Sequence, residues 1–233
     1  PSLVVSESVM NIALGGGETE TFTAEVMNDG QEGSVVSFVT YPGQELMSDE
    51  SFSDGSLPEG WSTATNAECD NPGWYVTEDA SSSYFTIPPG DGFYIATNDD
   101  ACGSSSDGSN DMLYTNEISL PDGMVELSFQ RYFTAGYNQT LQVYVSQDNW
   151  ETYDEVLNLG YWEGSEEWVK ETIDLQAYAG ESVALAFHSN DNGNWASGVA
   201  LDDIQLGMTP LWISSSSTGT IQYQGVETFE FSI

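Results

Sequence analysis

Apolar residues alternate with polar ones at a period of two in block after block of this chain. Phe22, Ala24 and Val26 interleave with Thr21, Thr23 and Glu25, and Val125, Leu127 and Phe129 with Glu126, Ser128 and Gln130. The spacing returns at Leu141, Val143 and Val145, at Val183, Leu185 and Phe187, and at Phe229, Phe231 and Ile233. Successive side chains of a strand point to opposite faces, so each block predicts a half-buried β-strand. Between the blocks lie NDGQEG, PPGDG, LPDG and SNDNGN, whose Gly, Pro, Asn and Asp predict turns. Helical periodicity is nearly absent. The expected fold class is all-β, built of sandwiches.

The texture changes twice along the chain. Residues 1–43 contain no Trp and no Cys, and residues 208–233 are similarly plain. Residues 45–207 hold six of the seven tryptophans, both cysteines and most of the Asx-rich loops. The run GGGETETFTAEVMNDG, continued by SVVSFVTY, resembles the first half of the small Ig-like modules of secreted bacterial proteins. The stretch Leu211–Gly219 resembles the segment that comes directly after that half in those modules. Each flank alone has too few strands to cover a hydrophobic face, while together they supply about five or six. The resemblance therefore implies one smaller Ig-like β-sandwich, split into 1–43 and 208–233, with residues 44–207 inserted into a loop. Insertion is tolerated where the termini of the inserted domain lie close together. Two separate truncated modules flanking the centre are the rival arrangement. The chain stops on a strand, so a final strand is expected beyond it.

Charge narrows the partners. The 233 residues carry 38 Asp plus Glu against 2 Lys plus Arg, a formal net charge of −36. Binding to nucleic acid or to an anionic membrane surface needs clustered cations, so both are excluded as partners. No apolar run approaches the roughly 20 residues of a membrane helix, and no membrane insertion is expected. With only Arg131 and Lys170 as cations, almost no carboxylate can have a salt-bridge partner. Most carboxylates are expected to be solvated, and a few to gather around divalent metal, since Ca²⁺ takes six to eight oxygen ligands.

Cys69 and Cys102 both sit in polar, Asx-rich segments, AECDN and DDACG. Buried structural thiols usually occupy apolar strands, so a disulfide between these two is expected, and with it an oxidising, extracellular compartment. A zinc site is not expected, with no CxxC and one histidine.

Five motifs occur in order through the middle of the chain. They are Glu50 with Phe52; Leu57-Pro58-x-Gly60-Trp61; Asn98-Asp99-Asp100 with Asp111; Trp168 with Asp174-Leu175 and Tyr178-Ala179-Gly180; and Leu201-Asp202-Asp203-Ile204. Their order resembles the cleaved-adhesin, or choice-of-anchor J, family of bacterial surface proteins, related to the MAM domain, across almost all of residues 48–206. The resemblance implies a two-sheet jelly-roll β-sandwich with a structural Ca²⁺ tying the first strand to the last. Side-chain alternation gives this physical support. Adjacent aspartates on a strand face opposite ways, so Asp202 or Asp203 points inward, where an unpaired carboxylate costs several kcal/mol. Glu50, Asp202 and Asp203 are thus expected metal ligands, the alternative being a carboxylate that accepts backbone amides.

A second cation site is expected at the ends of NDDACGSSSDGSND (98–111), from Asp99, Asp100 and Asp111, with Asp107 at the tip left to solvent. Gly and Ser let this loop fold back, and a Cys69–Cys102 bridge would pin it. No EF-hand register fits here or at Asn190-Asp191-Asn192-Gly193.

Catalysis has little to rest on. His188 is the only histidine and lies in a strand pattern, and neither G-x-S-x-G nor H-E-x-x-H occurs. Trp162 and Trp195, flanked by Gly and polar residues, are the aromatics expected to meet a ligand, whereas Trp168 reads as packing. The sequence thus predicts a monomeric, non-catalytic, calcium-stabilised adhesion region of a larger secreted or surface-attached protein, binding extracellular protein or glycan. The alternatives are a carbohydrate- or matrix-binding accessory module of a secreted hydrolase and an architectural spacer.

Overall fold

A computed structural model describes residues 3–5, 21–28, 35–40, 45–88, 92–103, 108–209, 217–222 and 226–232. The chain divides into two compact units, one of Pro1–Glu45 with Thr209–Ile233 and one of Leu46–Met208. In chain order the strands begin with β1 (Leu3–Val5), β2 (Thr21–Asn28), β3 (Val35–Thr40), β4 (Glu45–Glu50), β5 (Ser62–Ala64), β6 (Tyr75–Thr77) and β7 (Tyr94–Thr97). A single turn of helix, α1 (Asp99–Cys102), precedes β8 (Asn110–Tyr114), β9 (Ile118–Ser119), β10 (Met124–Phe133), β11 (Thr140–Ser146) and β12 (Asp154–Leu159). The last strands are β13 (Ser165–Asp174), β14 (Ser182–Asn190), β15 (Val199–Thr209), β16 (Ser217–Gln222) and β17 (Val226–Ser232).

In the smaller unit, strands from the two ends of the chain pair with each other. β17 lies antiparallel to β2, with Phe229 opposite Ala24, and β1 flanks β2 on the other side. β16 pairs antiparallel with β3, with Thr218 opposite Val39.

The larger unit is a sandwich of two antiparallel sheets, as the alternation predicts. One sheet runs β13-β10-β15-β7-β6, with β4 also paired to β15; the other runs β12-β11-β14-β8-β5, with β9 paired to β14. Val125, Leu127 and Phe129 on β10 face the core, as do Leu141, Val143 and Val145 on β11 and Val183, Leu185 and Phe187 on β14. Phe129 and Phe187 meet edge to face across the sandwich, ring centroids 5.3 Å apart, in the arrangement aromatic quadrupoles favour. A smaller cluster of Ala80, Phe85, Ile87, Tyr94, Ala96, Tyr132 and Ala200 adds a second apolar layer. Trp168 packs against it, 5.7 Å from Tyr94 and 6.0 Å from Tyr132, in the packing role expected of it.

The cations are quickly accounted for. Arg131, buried on β10, donates through Nε to Glu171 Oε1 at 2.7 Å, and its guanidinium lies over the Phe133 ring. Lys170 is exposed on β13, opposite Gln130.

Candidate functional site

At the end of β7 the chain leaves the sheet and turns into α1. Asn98 caps the turn, its Oδ1 accepting the N–H of Ala101 at 2.8 Å while its Nδ2 donates to the carbonyl of Ala80. An Asx side chain at this position satisfies an N–H that a helix start otherwise leaves without an acceptor. The other end of α1 is fixed by the Cys69–Cys102 disulfide, the pairing expected from the sequence.

The two aspartates of α1 reach outward to neighbouring loops. Asp99 is buried and its Oδ2 accepts the N–H of Ala196. Asp100 Oδ2 accepts from the Ser82 hydroxyl at 2.5 Å and from the N–H of Tyr84 at 2.9 Å, while its own N–H donates to the carbonyl of Ser197 at 3.1 Å. Carboxylates that accept backbone N–H groups make charge-assisted bonds, stronger than neutral ones. Together, Asp99 and Asp100 hold the segments that carry Trp195 and Tyr84.

Those two rings belong to an aromatic cluster. Trp195 meets Tyr84 edge to face at 5.8 Å and Tyr137 at 4.6 Å, and Tyr161 meets Trp162 at 5.1 Å. Tyr84 is 74% exposed, Tyr137 67%, Tyr161 62% and Trp162 88%, so large apolar faces are turned to solvent. Trp195 is half-buried. Between them opens a cleft of about 760 Å³ lined by Gly136, Tyr137, Asn138, Tyr161, Asn194 and Trp195.

The backbone presenting Tyr137 is unusual. Ala135, Tyr137 and Asn138 all have positive φ, at 54°, 56° and 73°. Non-glycine residues in this region cost of order 1–3 kcal/mol each and persist where the surroundings over-determine them. Here the surroundings are visible. Gln139 is buried, donating through Nε2 to the Ser189 hydroxyl at 3.1 Å and accepting the N–H of Gly198 at 3.2 Å. Asn192 donates through Nδ2 to the carbonyl of Asn138 at 2.7 Å. A Cβ on Gly136 would stand 2.7 Å from the Ser197 hydroxyl oxygen, so a side chain there would displace that hydroxyl. The Tyr161–Trp162 turn is closed separately, Glu163 Oε2 accepting the N–H of Gly160 at 2.9 Å.

The carboxylates expected as calcium ligands occupy several places. Glu50 Oε1 accepts the N–H of Phe52 at 2.6 Å, and Asp202 Oδ1 accepts that of Asp203 at 2.8 Å. Asp203 is exposed, with φ 47°. Asp111 is buried on β8, its Oδ1 accepting from the Thr65 hydroxyl at 2.5 Å and its Oδ2 from that of Ser109 at 3.4 Å. Its neighbour in charge is Asp191, also buried, whose carboxylate accepts N–H groups of Gly108 at 2.6 Å, Ser109 at 3.0 Å and Gly193 at 2.8 Å. Burial raises the proton affinity of the Asp111 carboxyl above its ordinary value; the Thr65 and Ser109 hydroxyls oppose this and the Asp191 charge adds to it. Among the described residues, no three His, Cys, Asp or Glu side chains form a metal-holding group. Asp107 lies outside the described residues.

His188 sits within β14 with Nδ1 3.2 Å from the Tyr144 hydroxyl and Nε2 3.2 Å from Asn110 Oδ1. Burial lowers its proton affinity, against an opposing pull from Glu155. The interacting side chains around it are those of a structural polar residue.

Sequence reasoning named Trp162 and Trp195 but missed Tyr84, Tyr137 and Tyr161, as well as Asn138 and Asn194. The AGYNQ stretch did hold a signal, since Gly and Asn mark a turn and turns run over the surface.

Known proteins share this architecture. No curated protein sequence matches the chain. Among solved structures, the K3 cleaved adhesin domain of Lys-gingipain from Porphyromonas gingivalis superposes with a TM-score of 0.52 at 21% identity, over 71% of this chain and 99% of that one. The K2 cleaved adhesin domain of Lys-gingipain gives a TM-score of 0.50 at 18% identity, over 69% of this chain and 98% of that one. The MAM domain family (meprin/A5/mu) matches residues 51–210, which span the two-sheet sandwich apart from β4 and include every residue lining the cleft, and the chain belongs to that family.

Proposed function

We propose that this chain is a non-catalytic, extracellular glycan-binding module of a larger adhesive protein, and that the cleft between Tyr137, Tyr161 and Trp195 is its binding site. The observation that carries this reading is the set of exposed aromatic rings held around one cleft by strained, heavily hydrogen-bonded backbone. Sugar rings present apolar C–H faces that stack on aromatic side chains, and hydroxyls that suit the amides of Asn138 and Asn194. The disulfide fits an oxidising compartment. The environment of His188 offers no free general base. The smaller unit, built from both chain ends, is proposed as a split Ig-like spacer.

The test is binding of the purified chain to an immobilised glycan panel. Binding that is lost in Tyr137→Ala and Trp195→Ala, with circular dichroism unchanged, supports the reading. Binding untouched by either substitution rejects this cleft, and capture of protein ligands alone turns the adhesion reading toward a protein partner.

Calcium is a separate proposal. Carboxylate and hydroxyl oxygens of Asp111, Asp191, Thr65 and Ser109 have the hard-oxygen chemistry the ion takes, and two buried carboxylates acting on each other are the observation in its favour. Glu50 and Asp202 each have one oxygen engaged by a neighbouring N–H. A bound ion would stabilise the native state by RT ln(1 + [L]/Kd). Melting that is the same in Ca²⁺ and in EDTA would reject it.

A further inference from the structure

Accepting the cleft as a glycan site, we infer that it selects uncharged glycans and discriminates against anionic ones, such as uronates, sialylated chains and sulfated chains. Proteins recognise carboxylates and sulfates through guanidinium, ammonium or clustered backbone N–H groups. The first two are missing from this cleft as a matter of sequence, because the chain has 2 Lys plus Arg in total. Arg131 is buried and paired with Glu171, and Lys170 lies on β13; neither lines the cleft. No segment outside the described residues contains either residue type, so none can bring a cation to the site.

What the cleft offers instead is neutral. Its polar side chains are the amides of Asn138 and Asn194 and the hydroxyls of Tyr137 and Tyr161, each able to donate and accept with sugar hydroxyls. The charges built into its support are negative. Asp99 holds the N–H of Ala196 beside Trp195, Asp100 holds that of Tyr84, and Glu163 closes the Tyr161–Trp162 turn. An anionic ligand would meet these fixed carboxylates and the field of a chain with net charge −36. Repulsion summed over several such charges is worth about tenfold or more in affinity at low salt, and added salt screens it.

The experiment uses pairs of glycans that differ in charge and not in backbone. Suitable pairs are fully methyl-esterified and de-esterified homogalacturonan, desialylated and sialylated N-glycans, and neutral galactan and the same galactan after chemical sulfation, with xylan and mannan as further neutral ligands. Binding is measured at about 20 mM and about 300 mM NaCl, where the screening length differs several-fold. The expected result is binding to at least one neutral glycan, lost in Trp195→Ala and Tyr161→Ala, and at least about tenfold weaker for its charged counterpart at low salt. High salt should narrow that gap. Equal or tighter binding of the anionic member at low salt, still dependent on Trp195, would overturn the selectivity and leave the glycan site standing. No binding to any member would overturn the glycan reading itself. Tyr161, exposed on a separate turn, keeps the test usable if Trp195→Ala lowers stability.

Discussion

Asp100 accepts the backbone N–H of Tyr84 through Oδ2 at 2.9 Å and so couples α1 to the segment that carries one wall of the aromatic cluster. The same residue donates its own N–H to the carbonyl of Ser197, two residues past Trp195. Asp100 thus braces α1 against two loops. Replacing Asp100 by Ala removes an acceptor from two donors and should cost about 1.5–3 kcal/mol of stability. It should also weaken glycan binding, because Tyr84 loses its fixed position against Trp195. Asp100→Asn keeps an acceptor and should recover much of both. Chemical denaturation and titration calorimetry on the two variants would check this; an Asp100→Ala protein that binds as wild type would separate the brace from the site.

The Cys69–Cys102 bridge closes a sequence separation of 33 residues and ends on the same turn of helix. The chain-entropy relation gives about 3–4 kcal/mol for a loop of this size. A Cys69→Ser/Cys102→Ser double variant should therefore melt several degrees lower, and should lose affinity at the cleft because α1 is released at one end. Scanning calorimetry, with and without reductant on the wild type, measures the first effect; the reduced wild type should match the double variant.

Gly198 opens the way into β15 just behind the cleft. A Cβ there would stand 2.5 Å from the carbonyl oxygen of Thr97 and 2.7 Å from the Phe85 ring. Neither the sheet backbone nor a fully buried ring can easily give way. Gly198→Ala should cost about 3 kcal/mol or more. A fully stable Gly198→Ala variant in urea denaturation would show that these elements sit less tightly than the geometry requires.

Asp111 makes a pH prediction with a defined sign. Its native-state proton affinity is raised above the ordinary value of 3.8, so the native state binds this proton more tightly than the unfolded state. Its contribution to stability is therefore fullest below pH 3.8 and is lost as pH rises through the native value. In EDTA, the Asp111→Asn variant should lack that loss, and the difference in stability between variant and wild type should grow in the variant's favour from acid to neutral pH. Calcium, if held by Asp111 and Asp191, should reverse the order by stabilising only the wild type. Urea melts across pH 3–7, with and without Ca²⁺, carry both readings.

Most of the sandwich was legible because its information is local. Val125, Leu127 and Phe129 announce a half-buried strand by spacing alone, and the structure buries all three. The disulfide was legible from the polar settings of Cys69 and Cys102. The cleft was not, for two physical reasons. Its walls come from Tyr137, Tyr161 and Trp195, with Tyr84 against Trp195, and only the loop connections bring these near one another. And Tyr137 stands on left-handed backbone that no local propensity favours, sustained by Gln139 and Asn192 contacts to loops distant in sequence. The hydrogen-bonding roles of the aspartates were hidden for a related reason. Sequence displays a charge but not what it bonds, and Asp99 accepts an N–H from 97 residues away.

Trp162 and Trp195 stood as equals in the sequence, and the structure gives them different work. Trp162 is 88% exposed and touches Tyr161, so its removal deletes little buried surface. Trp162→Ala should change stability by no more than about 0.5 kcal/mol. It should weaken glycan binding only to the extent that a ligand reaches past Tyr161, and more for long oligosaccharides than for short ones. Trp195 is half-buried between Tyr84 and Tyr137, with edge-to-face contacts to both. Trp195→Ala should cost about 2–4 kcal/mol and abolish binding of short and long ligands alike. Trp195→Phe keeps an aromatic face and should restore most of the stability with part of the affinity. Affinities for a length series of one neutral oligosaccharide, measured on all three variants beside urea melts, separate the roles. Equal effects of the two alanine variants on short ligands would mean that Trp162 forms as much of the floor of the site as Trp195 does, and would overturn this division of roles.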